Sequence, residues 1–241
     1  DISWVDKDSW AIEFPLLPGP NLIQLEGLDY QGQLAVTDSI TLSNTGNLYP
    51  AGPGNLVVSE IMYHPAGTND TEYLELQNIS LHPIDISDVV VSEAVAFTFA
   101  GTALGTLGPG ETVLVVRNQA AFEQVYAPGL PIAGVFGPQS LANEGERLRI
   151  SGTGGQTIRD FRYDDDIPWP TLPDGFGYSL ELHAPAGNPD HSLASSWRAG
   201  ITPGGTPGRL AGDPRSEWDE RFFTPLEQAD PAISGGVADP D

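Results

Sequence analysis

The chain of 241 residues carries 33 acids against 10 lysines and arginines, a net charge of −23, and has no cysteine. That balance argues against duplex DNA or an anionic membrane surface as a partner, since phosphate contacts draw on clustered basic side chains; without thiols there is no disulfide or thiolate chemistry. Glycine (28) and proline (22) make up about a fifth of the residues, punctuation that excludes long helices but suits short strands between turns, and no run approaches the ~20 apolar residues of a membrane span.

Residues 1–46 show period-2 alternation broken by turn residues. Trp10–Phe14 alternates, Leu17-Pro-Gly-Pro-Asn21 turns the chain, Leu22–Gly27 alternates again, Asp29-Tyr-Gln-Gly32 turns it back, and Ser39–Ser43 ends the run. These are strand and turn signals, and they predict three strands. The pattern resembles the last three strands of an immunoglobulin-like or fibronectin-like module of a large secreted bacterial protein. Three strands cover one face of a sandwich without closing it, so they are expected to pack on a neighbour. The pattern opens partway through such a module, which makes the chain an expected piece of something longer. Asn44–Gly54 reads as a linker by composition, with the boundary placed at 47–54.

From 55 to 210 short strands recur at regular spacing. Leu56-Val-Val-Ser-Glu-Ile-Met-Tyr-His-Pro65 and Glu72-Tyr-Leu-Glu-Leu-Gln-Asn78 read as two strands joined by a polar loop. Pro83–Asp88 is a turn into Val89–Ser92, and Ala96–Ala100 follows. Thr112–Val116 is apolar on both faces, as a central strand is. Asn118–Tyr126 is the one good helix, with Asn118 as N-cap and Pro128-Gly129 as the stop. Glu146–Ile150, Thr157–Tyr163 and Gly177–Leu182 complete the strands, the last with Tyr178, Leu180 and Leu182 on one face and Ser179, Glu181 and His183 on the other.

The opening pair of strands, the stretch Asp164-Asp-Asp-Ile-Pro-Trp-Pro170 leading to Asp174-Gly-Phe-Gly-Tyr-Ser-Leu-Glu-Leu182, and Ser196-Trp-Arg198 leading to Thr202-Pro-Gly-Gly-Thr-Pro-Gly208 together resemble a bacterial lamin-tail domain. The resemblance implies an all-β fold: an immunoglobulin-like β-sandwich of the lamin-tail type with one short helix, here preceded by the extra three-stranded segment. It also implies an extracellular or cell-surface setting in a bacterial multidomain protein, where the family accompanies hydrolases, nucleases and kinase-like spore-coat modules. A related domain ends the nuclear lamins of animals. No catalytic residues belong to the family, so none is carried over.

Residues 211–241 change character, with eight acids against Arg215 and Arg221. They read as an acidic C-terminal linker in which Glu217–Phe223 has the pattern of one or two helical turns. Ala238-Asp-Pro-Asp241 resembles the start of a calcium-binding linker without completing its loop.

Each constellation that could carry chemistry has a plainer reading beside it. Ser59, Glu60 and His64 bring a hydroxyl, an acid and an imidazole close in sequence, but no nucleophile elbow precedes the serine. Glu72 and Glu75 with Asp164–Asp166 could supply a carboxylate pair for glycoside hydrolysis, yet 33 acids supply such pairs by chance. Asp164, Asp166 and Asp174 are the candidate metal ligands, for calcium, although the spacing is not that of a calcium loop. His64, His82, His183 and His191 lack zinc spacing. Among Trp4, Trp10, Trp169, Trp197 and Trp218, Trp169 between two prolines is the candidate glycan platform, with a lid over the sandwich as the alternative. Asn78-Ile-Ser80 satisfies a glycosylation sequon.

The expectation is a non-enzymatic, monomeric module of a secreted or surface bacterial protein. It would space or orient neighbouring domains and contact extracellular protein or glycan, with calcium the sole cofactor considered, and without nucleic-acid binding or membrane insertion. The rival is an accessory or catalytic domain of an extracellular hydrolase acting on phosphoesters or polysaccharides. It requires convergent carboxylates or a metal in a pocket.

Overall fold

Strand after strand in the middle of the chain is buried on both faces, and this organises the rest. A computed structural model describes residues 2–208. The acidic segment read at 211–241, with its Glu217–Phe223 turns, lies outside the described residues. In chain order the strands are β1 (Ile2–Trp4), β2 (Trp10–Ile12), β3 (Gly19–Leu28), β4 (Leu34–Asn44), β5 (Tyr49–Pro50), β6 (Leu56–Met62), β7 (Tyr73–Asn78), β8 (Ile84–Asp85), β9 (Val90–Glu93), β10 (Phe97–Thr98), β11 (Thr106–Leu107) and β12 (Thr112–Val116). The helix α1 (Gln119–Val125) follows, then β13 (Ile132–Val135), β14 (Arg147–Ser151), β15 (Thr157–Arg162), β16 (Leu180–Leu182) and β17 (Trp197–Ala199).

A six-stranded sheet in the order β13-β12-β7-β6-β16-β17 packs against a four-stranded sheet, β10-β9-β14-β15. One continuous core lies between them, with Val58, Ile61, Leu74, Leu76, Val113 and Leu180 from the larger sheet meeting Val91, Leu148, Ile150 and Phe161 from the smaller. A small sheet, β11-β8-β5, closes one end. This is an all-β, immunoglobulin-like sandwich. The stretch expected as a linker contributes β5: Tyr49 N–H donates to Pro83 O and Ala51 N–H to Asp85 O, and Ala51 is buried.

The larger sheet also covers its outer face. Met62, Tyr73, Leu114, Val116 and Phe122 form a second apolar cluster under α1, joined by Tyr126. Asn118 caps the helix by accepting from Ala121 N–H at 3.2 Å, as its position before the apolar turn predicts. Tyr73 packs edge-on against Phe122 and Tyr126, with ring centroids 5.7 and 5.8 Å apart.

The first 44 residues depart from the three strands expected of them. They form four strands in two separate hairpins, β1–β2 and β3–β4. The cause is local: Asp6 accepts from Asp8 N–H, and Val5 N–H donates to Ser9 O, so Val5–Ser9 closes a tight hairpin between β1 and β2. In β3–β4 the register pairs Ile23 with Ile40 and Asn21 with Leu42, which places Ile23, Leu25, Val36, Ile40 and Leu42 on one face. Val36, Ile40 and Leu42 remain exposed there, so the face expected to be packed against a neighbour is open.

Stability therefore resides in the sandwich. Leu76→Ala and Ile150→Ala should each lower the unfolding free energy by about 2–5 kcal/mol in a denaturant titration. Leu22→Ala on the exposed ribbon should change it by less than about 0.5 kcal/mol.

Candidate functional site

Five strands of the larger sheet contribute to a single row. Leu114 of β12 stands opposite Glu75 of β7, Glu75 opposite Glu60 of β6, Glu60 opposite Glu181 of β16, and Glu181 opposite Arg198 of β17. Directly opposed residues share a face, so three glutamates lie side by side on the outer face beside one arginine. All three are buried. A bulge makes room for this: the β6–β7 register slips between Val58 and Glu60, leaving Ser59 as the extra residue. Ser59 Oγ donates to Glu75 Oε1 at 2.7 Å. Val58 N–H donates to Nε2 of the buried His191 at 3.2 Å.

The segment 200–208 closes over the row as a strap. Thr206 N–H donates to Glu60 Oε1 at 2.8 Å and Gly208 N–H to Glu75 Oε2 at 2.6 Å. Thr206 Oγ1 reaches Glu181 Oε1 at 3.3 Å. From beneath, Tyr73 donates its hydroxyl to Glu60 Oε1 at 2.7 Å. Tyr126 donates to Gly204 O at 2.7 Å, and Arg198 Nη2 lies 3.1 Å from Glu181 Oε2. Gly205, at φ +73°, passes so close that a Cβ there would strike the Tyr73 hydroxyl and the Glu60 carboxylate.

Burial dominates the electrostatics. Desolvation, helped by the neighbouring Glu181 charge, pushes Glu60 up to about 7 from an ordinary 4.5. Desolvation and the Glu60 charge hold Glu75 well above the usual carboxylate range. Desolvation also raises Tyr73, with the Glu60 charge second. The donors of the strap act in the opposite direction without overcoming burial.

The residues singled out from sequence are distributed differently from that row. Ser59 is committed to Glu75, and His64 Nδ1 pairs with Asp174 Oδ1 at 2.9 Å, so Ser59, Glu60 and His64 do not form a relay. Glu72 is held at the end of the sheet by Arg117 Nη1, Ser140 Oγ and Leu141 N–H. Of the candidate metal ligands, Asp164 and Asp166 converge with Asp165, carboxylate oxygens of the three lying within 4.8 Å of one another. Asp174 belongs instead to the His64 pair. Asp165, between the other two in sequence, joins them in that cluster.

Trp169 is half-buried against the core, 6.3 Å from the buried Trp197 ring, the position of a lid. The exposed indoles among the described residues are Trp4 and Trp10, 71% and 42% exposed and directly paired across β1–β2. Asn78 of the sequon is fully buried. Its amide donates to His82 O, Leu107 O and Gly108 O, so it is closed to glycosylation. A cleft of about 480 Å³ between the amino-terminal strands and the sandwich is lined by Phe14, Leu16, Asn44, Leu48, Asp85 and Asp88. Its acids are already engaged, Asp85 by Ser87 and Asp88 by Thr153.

Two outcomes follow from the strap. A carboxylate whose folded pKa is raised contributes stability fully below the unfolded value of 4.5 and loses it as pH rises through the folded value. His191, pushed down to about 4 by burial, contributes in the opposite sense: its contribution is full above 6.5 and lost as pH falls through about 4. Above about pH 6.5 the carboxylates therefore govern. The melting temperature should fall between about pH 6.5 and 8, by the equivalent of 1–2 kcal/mol, and Glu60→Gln should flatten that fall. Separately, Gly205→Ala should cost more than about 2 kcal/mol through overpacking and φ strain, measured by thermal unfolding at pH 6.

Residues 50–163 match the family model described as Lamin Tail Domain. No curated protein and no solved structure matches the chain. The six-stranded sheet continues beyond the matched segment, since β16 pairs onto β6 and β17 onto β16.

Proposed function

We propose, from the match of residues 50–163 to the lamin-tail family model, a non-catalytic structural and interaction module. It spaces or orients the neighbouring domains of a large secreted or cell-surface bacterial protein and meets extracellular protein or glycan through its loops and amino-terminal hairpins. The observation that carries this reading is the strap. Glu60 and Glu75, the pair of adjacent carboxylates with strongly raised pKa values among the described residues and the feature that would mark a hydrolase, lie under Thr206 and Gly208 with oxygens already bonded. A general acid must reach substrate, and Glu60 and Glu75 are occupied in holding the chain together.

A surface dominated by acids suits a module that stays soluble beside its neighbours. The contacts available to a partner are the loops and the amino-terminal hairpins. For a glycan, the rings on offer are Trp4 and Trp10 rather than Trp169.

The reading predicts no turnover when the purified chain is assayed against chromogenic phosphoesters and a polysaccharide panel, with and without divalent cations. Hydrolysis that copurifies with the chain and is abolished by Glu60→Gln or Glu75→Gln, in protein that still folds, would establish the hydrolase reading instead.

A further inference from the structure

The strap is attached to the molecule differently from the strands beneath it. Gly200 N–H donates to Ser179 O at 2.8 Å and Gly204 N–H to Gly177 O at 2.7 Å, beside the start of β16. Thr206 then bonds Glu60 of β6, and Gly208 bonds Glu75 of β7. The segment therefore runs across the strands, meeting β6 and β7 in turn, and these last two bonds end on side chains. β6 and β7 themselves lie inside the sheet, each paired through its backbone with a strand on either side.

Load carried by the chain beyond Gly208 falls first on the Glu75 bond and then on the Glu60 bond, because the strap crosses the strands. Bonds reached one after another yield at a lower load than a ladder whose bonds are stretched together. We propose that residues 200–208 form a tension-released latch: load on the chain that follows Gly208 peels the strap from the larger sheet while both sheets stay paired, and its release uncovers Glu75 and then Glu60. The proposal rests on the reading of the chain as a spacing module, in which load passes from one neighbouring domain to the next.

Release changes the chemistry that governs reclosure. The ionisable groups facing Glu60 are Glu75 and Tyr73 of β7, Glu181 of β16 and Tyr126 at the end of α1, with Arg198 of β17 against Glu181. Burial, with these acids close by, keeps protons on Glu60 and Glu75 while the strap is closed. Once uncovered, the carboxylates return toward the ordinary 4.5 and ionise. Closing must take the proton back, so it is favoured at low pH and opposed as pH rises through about 7. For Glu60 alone, the ratio of open to closed strap at fixed load rises about tenfold from pH 6 to pH 8. Glu75 acts in the same direction.

The test is extension of the full chain in optical tweezers. The sequence has no cysteine, so handles attach to two introduced ones: Leu81→Cys, at a residue 88% exposed that follows β7, and Arg209→Cys, directly after the strap. The latch predicts a first, reversible step at low load that lengthens the chain by about 30 Å, the reach of residues 200–208 at ~3.4 Å each, before the sandwich opens. At fixed load the open-to-closed ratio of that step should rise at least about tenfold between pH 6 and pH 8. Glu60→Gln, which keeps the side chain's shape and an acceptor for Thr206, should reduce that rise by about tenfold; the comparison of the two pH values needs no change at Glu60. Opening of 200–208 together with the sandwich in a single step would overturn the latch, as would a first step whose balance is the same at pH 6 and pH 8. Neither result bears on the non-catalytic reading, which the turnover assay tests separately.

Discussion

The structure depends on a sheet that must be covered on both faces. One face is closed by the opposing sheet in the usual way of a sandwich. The other, among the described residues, meets a short helix and a strap, and it places three glutamates, Glu75, Glu60 and Glu181, side by side on adjacent strands. Leaving such groups buried without partners is costly. The solution is to supply donors from a segment more than a hundred residues later in the chain, Thr206 and Gly208, and from Tyr73 below. The strap, the bulge at Ser59 and the glycine at 205 are consequences of that requirement. Local backbone geometry and distant chain contacts thereby answer to one electrostatic constraint.

The same constraint bears on function. Raised carboxylate pKa values mark active sites when the groups stand at a cleft, and the same shifts arise wherever carboxylates are buried for structural reasons. Here the oxygens are taken up by backbone donors and covered by the chain, so the shifts report packing. The molecule is closed in its middle and exposed at its periphery: the hairpins with Trp4 and Trp10, and the long crossover that starts at Asp164. That division between closed centre and available margin is what a spacing and interaction domain needs.

Much of the sandwich was legible in the sequence, for identifiable reasons. β6, β7, β12 and α1 lie close to where alternation, apolar runs and the Asn118 cap place them, since those signals are local. The two-residue strands β5 and β8 read as linker and turn because a single pair of ladder bonds leaves no periodicity. The four strands of the first 44 residues read as three because Ile2–Trp4 is too short to alternate. The carboxylate row was beyond reach from sequence. Glu60 and Glu75 were each visible, but their juxtaposition depends on the register of β6 against β7, which the Ser59 bulge shifts by one residue. The alternation of Ser179 and Glu181 against Tyr178 and Leu180 did contain a signal, since an acid on the second face of a central strand calls for a partner.

The central claim, that the buried carboxylates hold the strap closed, is tested most directly by amide hydrogen exchange at Thr206 and Gly208 across pH, corrected for intrinsic rates. The account predicts strong protection near pH 6 that weakens as Glu60 ionises through about 7, with protection at Leu76 and Val113 unchanged. Exchange at Thr206 and Gly208 that is unprotected throughout, or protected equally at every pH, would contradict it.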